Sequence, residues 1–244
     1  SDVYKRQVTY RGPMTQQRRS VLVTGGSRGI GHAVAKELSK DHHVLVGGTH
    51  PDTVNAVVGQ LDDAEPFIAD LTDAQAVAEA VAAVDRLDAV VHSAGTYGSG
   101  NTLAQTPRSE WRDVLELNVV AVADLTAQLL PLLRDSHGQI VMINSGSGLH
   151  RPGPRTGVYA ASKYALRALT DALREEERGA VRVTTVYPGR VNTDMQVNRQ
   201  HQMGREYDPD EHLRPESIAA AVRMALEASS EAMVEDVSVR PVVK

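Results

Sequence analysis

Short apolar, β-branched runs alternate with stretches of helical periodicity from Val21 to Arg240, and that alternation leaves few folds open. Val21-Leu-Val-Thr24, Val44-Leu-Val46, Pro66 to Ala69, Ala89-Val-Val-His92, Gln139 to Ile143, Val181 to Val186 and Val237 to Arg240 read as strands. Between them, Ile30, Val34, Ala35 and Leu38 fall at helical spacing, and Pro51 suits the first turn of a second helix. Thr72-Asp-Ala-Gln75 has the capping-box pattern ahead of a third, running to Val84. One long helix is expected from Thr106-Pro107 to Leu133, with Pro131 bending its last turn. Two more run from Tyr159 to Arg178 and from Pro215 to near Ala228. Strands joined by helical crossovers pair mainly in parallel, so the expected fold class is α/β, a doubly wound parallel sheet with helices on both faces. Ligands of such sheets sit outside the carboxyl ends of the strands. The glycines after Val23, Asp70, Gly95, Ser145 and Pro188-Gly189 all fall there.

The 244 residues are read as a single domain spanning 14–244. Ser1 to Pro13 are polar, lack a period and precede Met14, so they are expected to be a leader foreign to the fold. Asp2-Val-Tyr-Lys-Arg-Gln7 also reads like a translated adapter sequence. Residues 194–213 are polar and proline-marked, and are expected to form a flexible substrate lid with a short helix.

A net charge of −5 argues against a general role on nucleic acid or a membrane surface. No uninterrupted apolar run approaches the ~18 residues of a membrane span. With no cysteine there is no thiolate metal site and no cysteine nucleophile, and a cytoplasmic location fits. The nine histidines show no pair at metal-ligand spacing, so no catalytic metal is expected.

Thr24-Gly-Gly-Ser-Arg-Gly-Ile-Gly31 joins the first strand to the first helix. Missing side chains at Gly25, Gly29 and Gly31 let backbone approach a pyrophosphate, and a helix N-terminus favours its charge. Ser27 and Ile30 share that turn, and so does Arg28. The second strand ends Gly47-Gly-Thr49-His50 with no acid before Asp52, where a ribose lacking a 2′-phosphate would be gripped. Arg28 with Thr49 and His50 would instead accept a phosphate, which favours NADP(H) over NAD(H). Asp70-Leu71 could accept from an adenine amino group or cap the next helix. In Val158-Tyr-Ala-Ala-Ser-Lys163, Tyr159 and Lys163 stack one turn apart if helical. The cation would lower the phenol pKa and poise Tyr159 to exchange a proton with a carbonyl oxygen. Glycine turn and tyrosine–lysine pair together imply an oxidoreductase.

Thr24-Gly-x-x-x-Gly-x-Gly31, Asp70, Ser93-Ala94-Gly95, Asn118 in Leu-Asn-Val, Ser145, Tyr159-x-x-x-Lys163 and Pro188-Gly189-x-x-x-Thr193 occur in order. From about Arg19 to Arg240 the chain resembles the short-chain dehydrogenase/reductase family of the classical type, with its Rossmann-like fold. The resemblance implies that Tyr159 is the general acid/base and that Lys163 lowers its pKa and holds the nicotinamide ribose. Ser145 would bond the substrate oxygen, with Ser147 as runner-up, and Asn118 would position Lys163 through a water. Thr193, with backbone near Val191, would bind the nicotinamide carboxamide. The substrate would be a small carbonyl compound or alcohol. Family habit implies a homodimer or homotetramer through the two long helices.

Two departures stand out. The family usually has Asn-Asn-Ala-Gly where this chain has His92-Ser-Ala-Gly95, so His92 is either a sheet-stabilising donor or a core histidine. Ser145 precedes Tyr159 by one residue more than is common, so the loop His150 to Thr156 is expected to be extended. Its Arg151 and Arg155 either meet an acidic substrate or are solvated. Tyr97, Gly98, Gly148, Leu149, Tyr187, Met195 and Met203 are candidate substrate contacts by position. The rival readings are an NAD-dependent alcohol, sugar or steroid dehydrogenase, and a dinucleotide-binding sensor that no longer catalyses.

Overall fold

Seven strands form one sheet in the order β3-β2-β1-β4-β5-β6-β7, and every neighbouring pair is parallel. The computed structural model describes residues 18–242, so the leader expected at 1–13 lies outside them. The first half runs β1 (Ser20–Val23), α1 (Gly29–Leu38), β2 (His43–Gly48), α2 (Pro51–Val58), β3 (Ala64–Ile68), α3 (Ala74–Ala82) and β4 (Ala89–His92). The second runs α4 (Arg108–Leu115), α5 (Ala121–Asp135), β5 (Gln139–Ile143), α6 (Gly157–Glu176), β6 (Arg182–Pro188), α7 (Asp194–Gln202), α8 (Pro215–Leu226) and β7 (Asp236–Val239). Strand order reverses between β1 and β4, which opens a crevice beyond their carboxyl ends.

Strands buried on both faces explain the unbroken apolar runs. Successive side chains of β1 point to opposite layers: Val21 and Val23 pack with Val34, Leu38, Ile218 and Val222 of α1 and α8. Leu22 packs instead with Leu125, Leu129 and Leu166 of α5 and α6. Each fully buried side chain of this size contributes about 1.5–3 kcal/mol. Arg174 fastens α6 to the sheet edge, donating to Val183 O, Thr185 Oγ1 and Glu235 O at 3.0 Å each.

Three local expectations differ from the structure. The long helix divides, because residues Glu116–Val120 form a π turn between α4 and α5, closed by Ala121 N donating to Glu116 O. The wider turn carries one surplus residue, and periodicity alone does not register it. The third helix is capped by Asp73, which accepts from Gln75 N and Ala76 N, while Thr72 turns back to Asp70. A carboxylate one residue on displaced the threonine. Finally, the helical stretch Arg108–Asp135 is long and apolar enough, by length and composition, to cross a membrane. Its apolar residues Leu125, Leu129 and Leu133 are fully buried in the sheet's helical layer.

Candidate active site

The crevice at the β1/β4 divide is a cleft of about 1020 Å³. Thr24 fixes its floor, its Oγ1 accepting from Ser93 N at 3.0 Å and Ala94 N at 3.1 Å, so the ends of β1 and β4 are held together. Gly31 docks α1 against this turn so closely that any Cβ would collide with the Gly25 carbonyl oxygen. Arg28 precedes the helix without a side-chain cap, leaving the first-turn amides without a side-chain partner and open to an anion. A dinucleotide pyrophosphate fits this cradle, which side chains would fill.

Most of the expected cofactor residues meet here. Gly25, Ser27, Arg28, Gly29, Ile30, Gly31, Thr49, Asp70, Leu71, Ala94, Gly95 and Thr193 all line the cleft. His50 does not; it precedes α2 as its cap residue. Pro188, Gly189 and Val191 do not line the cleft, and Gly189 N donates to Val239 O at 2.7 Å. Asp70 Oδ1 accepts from Thr72 N at 2.9 Å and Thr72 Oγ1 at 2.7 Å, and these bonds lower its pKa, the backbone one most.

Helix α6 carries Tyr159 and Lys163 on one face, the Lys163 Nζ 5.8 Å from the Tyr159 ring centre. Lys163 is buried, donates to Ile143 O at 3.1 Å, and burial pulls its pKa down to about 8. The expected lowering of the Tyr159 pKa is reversed: burial raises it, and only the Ser145 hydroxyl's hydrogen bond and the Arg199 charge pull it back, while Tyr97 adds to the rise. The ammonium is turned to the β5 carbonyl instead of the phenol.

Of the two serines it is Ser145, not Ser147, whose hydroxyl lowers the Tyr159 pKa. Ser147 contributes its backbone N–H, donating to Ser145 Oγ at 3.1 Å. Asn144 sets the loop against α6: its Oδ1 accepts from Ser145 N at 2.8 Å and its Nδ2 donates to Lys163 O at 3.2 Å. A Cβ on Gly148 would lie 2.6 Å from Asn144 Oδ1, so this approach requires glycine there. Asn118, in the π turn, exchanges two hydrogen bonds with the Thr96 backbone and donates to Ser162 Oγ at 3.0 Å. Ser162 in turn donates to Tyr159 O at 2.7 Å, which chains Asn118 to the tyrosine's own turn of helix.

Over this site lies α7. Thr193 caps it, accepting from Gln196 N at 3.4 Å. Val191 pairs with Leu213 in an isolated parallel bridge, so the segment 194–213 is pinched at its base. Inside it, His212 Nδ1 donates to Asp208 O at 2.7 Å, and Gln196 Nε2 lies 3.2 Å from His212 Nε2. The segment expected to be a flexible loop with a short helix holds a nine-residue helix and a short 3₁₀ turn (Pro209–Glu211). The Arg199 guanidinium carbon lies 5.0 Å over the Tyr97 ring, whose centre is 4.7 Å from that of Tyr159.

Of the candidate substrate contacts, Tyr97, Gly98 and Met195 line the cleft. Tyr187 is instead fully buried within β6. Arg151 and Arg155 are exposed on their loop. Arg199, Asn144 and Ser162 were not singled out by the sequence: nothing local marks an arginine in a polar helix or a serine inside Tyr159-x-x-x-Lys163.

His92 is a core histidine. Thr126 Oγ1 gives its only proton to Val122 O at 2.6 Å, so it accepts from His92 Nε2 at 3.0 Å, and His92 Nδ1 has no partner among the described residues. Burial drives its pKa down to about 4.

A parallel doubly wound sheet with an anion cradle at its switch point and a Tyr/Lys/Ser cluster beside it defines a dinucleotide-dependent oxidoreductase. The short chain dehydrogenase family matches residues 19–204, and the chain belongs to that family. A Staphylococcus epidermidis protein described as an uncharacterized oxidoreductase is 32% identical over 234 residues, covering 93% of this chain and 98% of its own. The alcohol dehydrogenase of the archaeon Thermococcus sibiricus, complexed with 5-hydroxy-NADP, superposes with a TM-score of 0.83 at 26% identity, covering 93% of this chain and 97% of that one. Pseudomonas aeruginosa RhlG, in an active-site complex with NADP, gives 0.82 at 28% identity, covering 92% and 96%. The chain is therefore an oxidoreductase acting between alcohol and carbonyl with a nicotinamide cofactor.

Proposed function

We propose that this enzyme uses NADP(H) and that Tyr159 is its general acid/base. The observation that carries the reading is that Tyr159, Lys163 and Ser145 come together at the end of β5, with Lys163 Nζ 5.8 Å from the Tyr159 ring centre and bonded to Ile143 O, and the Ser145 hydroxyl acting on the phenol. When bound, the nicotinamide gives or takes the hydride. Tyr159 delivers a proton to the nascent alkoxide in reduction, and its raised pKa keeps it protonated for that step. Ser145 donates the second hydrogen bond to the same oxygen. Lys163, as a buried cation one turn away, stabilises the phenolate left behind. Asn118 holds the loop after β4 and the first turns of α6 in register.

Preference for NADP(H) rests on Arg28. It is exposed on the cleft beside Ser27 and Thr49, has no carboxylate partner among the described residues, and faces no acid at the end of β2. A 2′-phosphate would meet a planar cation and hydroxyl donors. Several solved relatives hold NADP forms, in keeping with this. The same reading includes assembly of two or four copies through α4, α5 and α6, where Val120 and Tyr164 are exposed.

The test follows NADPH and NADH consumption over ketones and aldehydes, with Tyr159→Phe as control. NADPH-dependent turnover lost in the variant, with NADPH binding kept, supports the reading. Turnover surviving in Tyr159→Phe refutes the acid/base role, and equal efficiency with NADH refutes the cofactor preference.

A further inference from the structure

Arg199 is a cation whose Nε is sealed from solvent and has no hydrogen-bond partner among the described residues. Arg174, a buried guanidinium, by contrast has carbonyls, a hydroxyl and the carboxylates of Asp171 and Asp236. Among the described residues no carboxylate pairs with Arg199, although Asp113, Glu116 and Asp194 line the same cleft. A buried donor left open costs free energy, and native proteins seldom leave one without a purpose. The side chain is held in place by stacking on Tyr97, which leaves the edge of its fork available.

Its position says what it faces. Arg199 lines the cleft from α7, and it stacks on Tyr97, whose ring centre lies 4.7 Å from that of Tyr159. Its charge is felt at the Tyr159 phenol. A planar fork beside a proton-transfer centre is complementary to a planar anion carried by the reacting molecule. In a chain of net charge −5, a local cation is the means of attracting one.

We propose that Arg199 receives a carboxylate of the substrate, so that the preferred substrates are small oxo acids or the corresponding hydroxy acids. The proposal rests on the reading of Tyr159 as the site of proton transfer, since that fixes where the carbonyl sits. Arg28 serves the far end of the cleft and Arg199 the near end, so one cleft sorts two anions by position.

The test compares 2-oxo, 3-oxo and 4-oxo acids of four to six carbons with their methyl esters, which keep the carbonyl and lose the charge. Each is titrated calorimetrically into the NADP⁺-saturated wild-type enzyme, a pairing that cannot turn over, and then assayed with NADPH. One acid binding at least tenfold tighter than its ester is expected. Arg199→Met, which keeps packing against Tyr97, should remove that preference on the order of ten- to a hundredfold, leaving ester and NADPH affinity unchanged. Arg199→Lys should retain part of it. Equal binding of acid and ester, binding of neither, or an Arg199→Met effect falling on NADPH would each overturn the assignment. Acid binding without turnover would instead count against the hydride-transfer reading, so the two fail separately.

Discussion

Asn118 and Thr96 bind each other reciprocally: Asn118 Oδ1 accepts from Thr96 N at 2.8 Å, and Asn118 Nδ2 donates to Thr96 O at 2.8 Å. The pair fastens the loop after β4 to the π turn, and the second Nδ2 proton reaches Ser162 on α6. Asn118→Ala should therefore leave half-buried backbone groups of Thr96 without their partner and cost about 1–3 kcal/mol. Chemical denaturation measures the loss, and kcat should fall more than KM changes. A variant as stable as wild type would remove the structural part of this account.

Lys163→Met should stabilise the cofactor-free protein while abolishing turnover. Burial holds the folded lysine at about 8 against an ordinary 10.5, so the unfolded chain binds its proton more tightly. The penalty is full below pH 8 and is relieved as pH rises from 8 to 10.5. The lost bond to Ile143 O trims the gain, leaving about 1–2 kcal/mol at pH 7. Thermal melts at pH 7 and pH 10 test it: the variant's advantage should shrink at the higher pH. A lower melting temperature for Lys163→Met at pH 7 would contradict the argument.

His92 makes the fold acid-sensitive. Its folded pKa of about 4 lies below the usual 6.5, so its neutral form stabilises the protein fully above 6.5. That contribution is lost as pH falls from 6.5 to 4, reaching roughly 3 kcal/mol. His92→Gln should flatten the stability profile across that window relative to wild type. Identical slopes for the two proteins would show that other groups govern acid unfolding.

Gly31→Ala should abolish dinucleotide binding and lower stability together. The new methyl would collide with the Gly25 carbonyl oxygen and lift α1 off the turn it packs against. Gly157→Ala, on α6 with open space around its α-carbon, is the control and should leave both unchanged. Fluorescence titration with NADPH, read beside a denaturation curve, separates the two variants.

The sheet was legible because its strands are buried on both sides and its turns are marked by glycine and proline. Ala89–His92 and Gln139–Ile143 were read to the residue. The cradle was legible for the same reason, since Gly25, Gly29 and Gly31 are local in sequence. What escaped depends on long-range geometry. Lys163 turns toward Ile143, twenty residues away, and Asn144 reaches its backbone across nineteen. The cap at Asp73 displaced Thr72 because two adjacent residues competed for the same amides. Arg199 escaped because its meaning is an absent partner, which no linear pattern records.

The π turn at Glu116–Val120 has a consequence for how this chain can change. Removing one residue there would let α4 and α5 merge into a single regular rod, an easier helix to form. Because the wide turn absorbs the surplus residue, side chains beyond the cut would keep nearly the same phase, and Leu125, Leu129 and Leu133 would stay in the sheet's helical layer. The loss would fall on Asn118, whose place in the wide turn sets its bonds to Thr96 and Ser162. A one-residue deletion in these five positions thus spares the core and strikes the site, and the helix stays irregular where the chemistry, not the packing, requires it.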